Sequence, residues 1–144
     1  MTQHDPHDLE RFVTAQARDF DSACRELKGG SKRSHWIWYI FPQMKGLGLS
    51  ANAEFYGIAS LVEARDYLAH PLLGPRLEAV TMLMLDQWPR TPSEVLGSPD
   101  DLKFCSSMTL FARAAGPGSL FRKAIDKLCN GREDLRTVRM IERT

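Results

Sequence analysis

The chain has 144 residues, of which 43% are hydrophobic and 26% are charged. These values are typical of one globular domain with a single hydrophobic core, so we assign residues 1–144 to one domain. The formal net charge of +1 provides no global positive field, which argues against nucleic acid as a partner. The longest apolar run, Trp36 to Phe41, is too short to span a bilayer, so we expect no membrane partner.

The cysteines and the N-terminus predict a cytoplasmic protein. Cys24, Cys105 and Cys129 are an odd number of cysteines at scattered spacing, without a CxxC motif. Such a pattern favours reduced thiols over a disulfide framework. The first residues, MTQHDPHDLER, are polar and acidic, unlike a signal peptide.

Signals for the start and end of helices recur along almost the whole chain. Asp5-Pro6 predicts the start of a first helix, and Gly29-Gly30 predicts its end. Further helices are expected to start at Ser34, Ser60, Gly74, Thr91, Ser98, Ser119 and Asp134. Three of these starts resemble capping boxes, in which a Ser or Thr and an acid three residues later bind each other's backbone N–H groups. The pattern predicts an all-α fold, a compact bundle or superhelical array of roughly eight helices.

The only segment with a strand-like composition is Trp36 to Phe41, which is rich in aromatic and β-branched residues. Periodicity alone does not separate a short buried strand from a buried helix. A lone strand would have no pairing partner in this chain. We therefore predict a buried helix that Ser34 caps and that ends near Pro42.

Residues 31–50, SKRSHWIWYIFPQMKGLGLS, form the candidate functional segment. No Asp or Glu lies between Glu26 and Glu54, whereas basic residues flank the apolar centre of the segment. A second local concentration of positive charge is in the C-terminal tail, at Arg132, Arg136, Arg139 and Arg143. A segment that is apolar enough to be buried and positive at its ends indicates a site for an anionic group.

The first end of this segment carries Lys32 and Arg33 just before the predicted helix start at Ser34. The first turn of a helix exposes backbone N–H groups at the positive end of the helix dipole, and these groups suit phosphate. Arg33 could hold an oxyanion through two parallel hydrogen bonds. The alternative is a solvated turn between helices, because basic turns are common on protein surfaces.

The second end is a glycine loop that contains Gly46 and Gly48 and is followed by Ser50. Its sequence formally matches GxGxx[GA], but no preceding strand and no βαβ unit are visible, so we reject a dinucleotide fingerprint. A glycine loop that enters a helix can still approach an anion closely, and Ser50 could form a directional hydrogen bond. A tight turn without any ligand explains the pattern equally well.

Five further side chains complete the candidate site. His35 is the candidate acid or base, because an unperturbed histidine exchanges protons near neutral pH. Trp36 and Trp38 point to different sides of the predicted helix, so one could stack on a base while the other packs in the core. Gln43 could form a directional hydrogen bond, and Lys103 is a further ligand candidate. The alternative for His35 is a core histidine that binds a helix end.

No metal site and no cofactor are predicted. His4 and His7 lie in the N-terminal tail, and neither His35 nor His70 has an HExxH-like partner.

The segments SHWIWYIFPQMKGLGLS, EARDYLAHPLLGPRL, SSMTLF and GREDLRTV resemble a bacterial family of unknown function that is often labelled calpastatin-like. The resemblance covers essentially the whole chain. It implies a compact, mainly α-helical domain and no established activity.

Together, these observations predict that the protein binds a phosphorylated small molecule, such as a nucleotide or an ADP-ribose-like compound. Lys32 and Arg33 would bind the phosphate, and His35 would assist any hydrolysis or group transfer. The alternative is a non-enzymatic module, in which the aromatic segment is mostly core and a groove between helices receives a protein partner. Whether the protein is an enzyme stays open at this point.

Overall fold

The structure, a computed structural model, describes residues 4–144, so the first three residues of the predicted domain lie outside it. This part of the chain forms nine α-helices and no β-strand, which confirms the predicted all-α class with one helix more than the expected number. The helices are α1 (Glu10–Lys28), α2 (Ile37–Ile40), α3 (Ala51–Phe55), α4 (Leu61–Ala69), α5 (Leu73–Asp86), α6 (Pro92–Leu96), α7 (Asp100–Ala115), α8 (Leu120–Leu128) and α9 (Leu135–Glu142). Within residues 4–144, no helix combines the length and the apolar character needed to cross a membrane.

Helix α7 is the centre of the fold, and α2, α4, α6, α8 and α9 all pack against it. Every residue from Ser106 to Ala112 is buried, as expected for a helix that has neighbours on several sides. The ring of Phe104 makes an edge-to-face contact with Phe41, with 4.9 Å between the ring centres. Phe41 and Trp36 are each 1% exposed, so much of the aromatic segment is core.

The aromatic segment is helical as predicted, but Ser34 does not cap it. Helix α2 has Trp36 at its N-cap position, without a side-chain hydrogen bond. The hydroxyl and the backbone N–H of Ser34 both donate to the carboxylate of Glu26 instead. The predicted cap is wrong because α2 begins only at Ile37, and Ser34 lies in the preceding turn, which is folded around the Glu26 carboxylate.

Most of the other predicted helix starts are confirmed. Side chains cap the helices at Ser60, Thr91, Ser119 and Asp134. The start predicted at Asp5 is wrong, because the Asp5 carboxylate accepts from the backbone N–H groups of Leu9 and Glu10 and α1 begins only at Glu10. The cap predicted at Ser98 is also wrong, because α7 starts after Pro99 without a side-chain cap.

The cysteines differ from the prediction. Cys105 of α7 and Cys129, the residue after α8, form a disulfide, whereas Cys24 is free. The prediction of reduced thiols is wrong for this pair, because a sequence separation of 24 does not reveal that α7 and α8 pack side by side. The argument from reduced thiols to a cytoplasmic location therefore no longer holds.

Candidate functional site

The basic turn between α1 and α2 is folded around the carboxylate of Glu26. Its Oε1 accepts hydrogen bonds from the backbone N–H groups of Arg33 (2.7 Å) and Ser34 (2.9 Å) and from the indole N–H of Trp36 (3.0 Å). Its Oε2 accepts from the Ser34 hydroxyl at 2.6 Å. The turn therefore holds an anion, and this anion belongs to the chain itself.

The hydrogen bonds of Glu26 predict how the stability of the protein changes at acidic pH. Partial burial would raise its pKa, but the hydrogen bonds from Ser34, Arg33 and Trp36 together outweigh burial and lower the pKa from 4.5 to about 2. Because the pKa is lower in the folded state, the stabilisation is fully present above the ordinary pKa of 4.5. It is lost as the pH falls from there towards about 2.

We expect Glu26→Gln to lower the free energy of unfolding by about 1–3 kcal/mol at pH 7. Both oxygens of Glu26 accept hydrogen bonds, and in the variant the NH₂ group of the amide replaces one of these acceptors. The difference from the wild type should shrink as the pH falls from 4.5 towards 2, which urea unfolding at several pH values would measure. Glu78→Gln is the matched control, since Glu78 is exposed. A difference that stays constant down to pH 2 would contradict this account.

Lys32 and Lys103 meet at Asp100, in the first turn of α7. The Lys32 ammonium lies 3.0 Å from Oδ2 of Asp100, and the Lys103 ammonium lies 3.6 Å from Oδ1. Each ammonium also lies over an aromatic ring, Lys32 at 5.1 Å from the ring centre of Trp36 and Lys103 at 5.4 Å from that of Trp38. The two predicted ligand lysines thus share an internal carboxylate.

His35 and Gln43 lie in different environments. His35 is exposed, and its backbone carbonyl accepts a hydrogen bond from the Tyr39 hydroxyl at 3.2 Å. Gln43 is only 7% exposed, and the structure gives its amide no hydrogen bond within residues 4–144. The amide nitrogen lies on the inner side of the glycine loop, 3.5 Å from the place that a Cβ on Gly48 would take.

The glycine loop faces helix α9 across a small cavity of about 240 Å³, which we call the arginine cleft. It is lined by Gly46, Leu47, Arg136, Arg139, Met140 and Arg143. Nε of Arg136 lies 4.0 Å from Oδ1 of Asp134. Arg139 and Arg143 form no ion pair within the part of the chain that the structure describes. The cleft is therefore a concentration of positive charge.

Backbone contacts hold the glycine loop in place. Lys45 donates its backbone N–H to the carbonyl of Ile58 (2.8 Å), and Ile58 donates to the carbonyl of Gln43 (2.9 Å). Gly46 has a φ of +101°, a conformation that favours glycine. The Ser50 hydroxyl accepts from the backbone N–H of Ala53 at 3.1 Å and so caps α3 where the loop ends.

The main surface cavities do not bring the predicted site residues together. Of the residues that line five cavities of about 240–510 Å³ within residues 4–144, Gly46 alone is a predicted site residue. Among these described residues, no group of three or more His, Cys, Asp or Glu side chains is arranged to bind a metal ion.

The arginines on α9 and at its C-terminal end were not among the predicted site residues, although the sequence carries a signal for them. Arg136, Arg139 and Arg143 are spaced at i, i+3 and i+7, which places them on one face of a helix. Sequence spacing does not reveal that this face lies opposite a loop about 90 residues earlier in the chain.

The sequence pattern of a family described as "Protein of unknown function (DUF1810)" matches residues 6–141. The chain belongs to this family. It is also similar to the conserved hypothetical protein Rv1873 from Mycobacterium tuberculosis, whose crystal structure has 51% sequence identity and a TM-score of 0.94. The similarity covers 97% of this chain and 100% of that chain.

A comparison with curated proteins gives no match. The family and the fold are thus established by the two matches, and neither description states an activity or carries the calpastatin-like label.

Proposed function

We propose that the protein binds a phosphorylated small molecule, with the phosphate group in the arginine cleft. The observation that carries this proposal is the composition of the cleft, in which three arginines face a glycine loop and no carboxylate residue is part of the lining. Guanidinium groups bind phosphate oxygens through paired hydrogen bonds, and Gly46, which has no side chain, allows the backbone of the loop to approach the ligand.

The size of the cleft limits what it can hold. Its volume of about 240 Å³ is below the range of roughly 300–1,000 Å³ that is usual for pockets that enclose a whole ligand. The cleft therefore suits a phosphate group and the first atoms of its carrier. Leu47 and Met140 supply apolar surface for those atoms.

The basic turn has no part in this binding function. Glu26 already accepts hydrogen bonds from the backbone of Arg33 and Ser34, and an external phosphate would have to displace this carboxylate. A reaction assisted by His35 would require this side chain beside the phosphate, and His35 is not among the residues that line the cleft. We therefore propose binding without a reaction step.

The replacement Arg139→Gln tests the proposal. Titration calorimetry with adenosine 5′-monophosphate should show binding by the wild type and affinity weakened by about 10–100-fold in the variant. This range corresponds to the loss of hydrogen bonds to a charged group, about 1.5–3 kcal/mol.

Arg25→Gln is the matched control, because Arg25 is exposed on α1 and its side chain contacts only Ser22 through a hydrogen bond in residues 4–144. Equal affinity of both variants would contradict the proposed location of the phosphate. Absence of binding by the wild type at millimolar ligand would contradict the binding function.

A further inference from the structure

An exposed leucine lies on each side of the arginine cleft. On the side of the glycine loop, Leu49 is 99% exposed and follows two residues after Leu47, which lines the cleft. Because consecutive Cα atoms are about 3.8 Å apart, the Cα atoms of Leu49 and Leu47 are separated by at most about 8 Å. On the side of α9, Leu135 is 64% exposed and lies one helical turn before Arg139, on the same face of the helix.

The backbone of the glycine loop keeps Leu49 at the surface. A Cβ on Gly48 would lie only 2.7 Å from the Cβ of Ala53, so this position faces the interior. The Ser50 hydroxyl caps α3 directly after Leu49. A single exposed leucine is ordinary, but two exposed leucines beside a concentration of arginines form an apolar and cationic surface. We call this surface the leucine–arginine patch; it consists of Leu49, Leu135, Arg136, Arg139 and Arg143.

The patch carries an excess of positive charge. Its three arginines have two carboxylates near them in sequence, Asp134 at the start of α9 and Glu142 at its end. Oδ2 of Asp134 already accepts hydrogen bonds from the Ser106 hydroxyl and the Thr137 backbone, and Glu142 lies at the edge of the patch, seven residues after Leu135. Neither carboxylate lines the cleft, so an anion that enters it meets guanidinium groups alone.

An anionic phospholipid membrane matches both properties of the patch. Its phosphate groups suit the arginines, and exposed leucines can enter the boundary between the headgroups and the acyl chains. The cleft of about 240 Å³ holds only a phosphate group and the atoms next to it, so the remainder of a lipid would lie outside, at the leucines. A nucleic acid also presents phosphates, but its bases stack on aromatic side chains, and none lines the cleft.

We propose that the leucine–arginine patch docks on the surface of an anionic phospholipid membrane. A headgroup phosphate binds in the arginine cleft, and Leu49 and Leu135 enter the membrane interface beside it. The expectation of no membrane partner rested on the length of the longest apolar run, and contact with a membrane surface does not depend on such a run. This inference rests on the proposed function, because the lipid phosphate occupies the site assigned to the phosphate group.

Co-sedimentation with two kinds of lipid vesicle tests the inference. The wild type should bind vesicles of phosphatidylglycerol and phosphatidylcholine in equal amounts and should not bind vesicles of phosphatidylcholine alone. Leu49→Ser should weaken the binding to the mixed vesicles about tenfold, since the apolar side chain no longer enters the membrane. Arg139→Gln should weaken it about fivefold, the effect of one basic side chain at an anionic membrane surface.

Titration with adenosine 5′-monophosphate separates this inference from the proposed function. Leu49→Ser should keep the wild-type affinity for the nucleotide, because Leu49 does not line the cleft, whereas Arg139→Gln should weaken it. Met82→Ser is the control for the loss of an exposed apolar side chain, since Met82 is 46% exposed on α5.

Three results would count against the inference. Binding of the nucleotide without binding of the mixed vesicles would overturn it and leave the proposed function intact. Vesicle binding that Leu49→Ser weakens no more than Met82→Ser does would also overturn it. Failure of the wild type to bind either the nucleotide or the vesicles would overturn both the inference and the proposed function.

Discussion

Replacement of Arg11 by methionine is expected to lower the free energy of unfolding by about 3–5 kcal/mol. Arg11 donates to Oε2 of Glu63 at 2.8 Å, and the two side chains are only 9% and 5% exposed. The loss of the guanidinium leaves a buried carboxylate without its cation. Its other oxygen would keep the hydrogen bond from the backbone N–H of Ala59, at 3.1 Å, and the His7 ring at 4.0 Å.

Arg11 also supports the candidate site from a distance. Its guanidinium donates to the backbone carbonyls of Phe55 and Gly57, each at 2.9 Å. The neighbouring residue Ile58 pairs with the residues that precede the glycine loop. Arg11→Met should therefore also weaken binding in the arginine cleft, because the base of the loop loses its anchor on α1.

Urea unfolding of three variants separates these contributions. Arg122→Met is the control, because the exposed pair of Arg122 and Asp126 on α8 should contribute only about 0.3–0.5 kcal/mol. The double replacement of Arg11 and Glu63 by methionine should recover part of the lost stability, since no unpaired charge remains buried. A single variant Arg11→Met as stable as the control would show that the buried pair does not stabilise the fold.

Reduction of the disulfide between Cys105 and Cys129 is expected to lower the free energy of unfolding by about 3 kcal/mol. The bond closes a loop over a sequence separation of 24 residues, and a cross-link of this span removes conformational entropy from the unfolded chain. For a domain of this size, the expected decrease of the melting temperature is roughly 10 °C.

Thermal unfolding with and without a thiol reductant measures this effect. The variant with both Cys105 and Cys129 replaced by serine should melt at the temperature of the reduced wild type and should not respond to the reductant. Cys24→Ser is the control that keeps the disulfide and should respond as the wild type does. A melting temperature that stays constant after mass spectrometry has shown complete reduction would contradict the prediction.

The sequence by itself determined the fold class and most helix starts. Thr91, Ser119 and Asp134 cap their helices because a cap joins residues only three positions apart, and such contacts are visible in the local sequence. The failures at Asp5 and Ser34 have a common cause. In each case a carboxylate binds backbone N–H groups several residues away, which changes where the helix begins.

The candidate site was only partly predictable. The sequence indicated an anion at the basic turn, and the turn does surround a carboxylate, that of Glu26 at the edge of the acid-free segment. The sequence also indicated that the glycine loop could approach an anion closely. The residues that face this loop, Arg136, Arg139 and Arg143, come from the opposite end of the chain.

Only the tertiary structure decided which of these signals belong together. Packing of several helices on α7 brings α9 to the glycine loop and places Cys105 next to Cys129. Contacts of this kind join residues that are far apart in sequence, and they depend on how side chains fill the core. Local spacing and capping patterns carry no information about that arrangement, whereas they do determine where each helix can form.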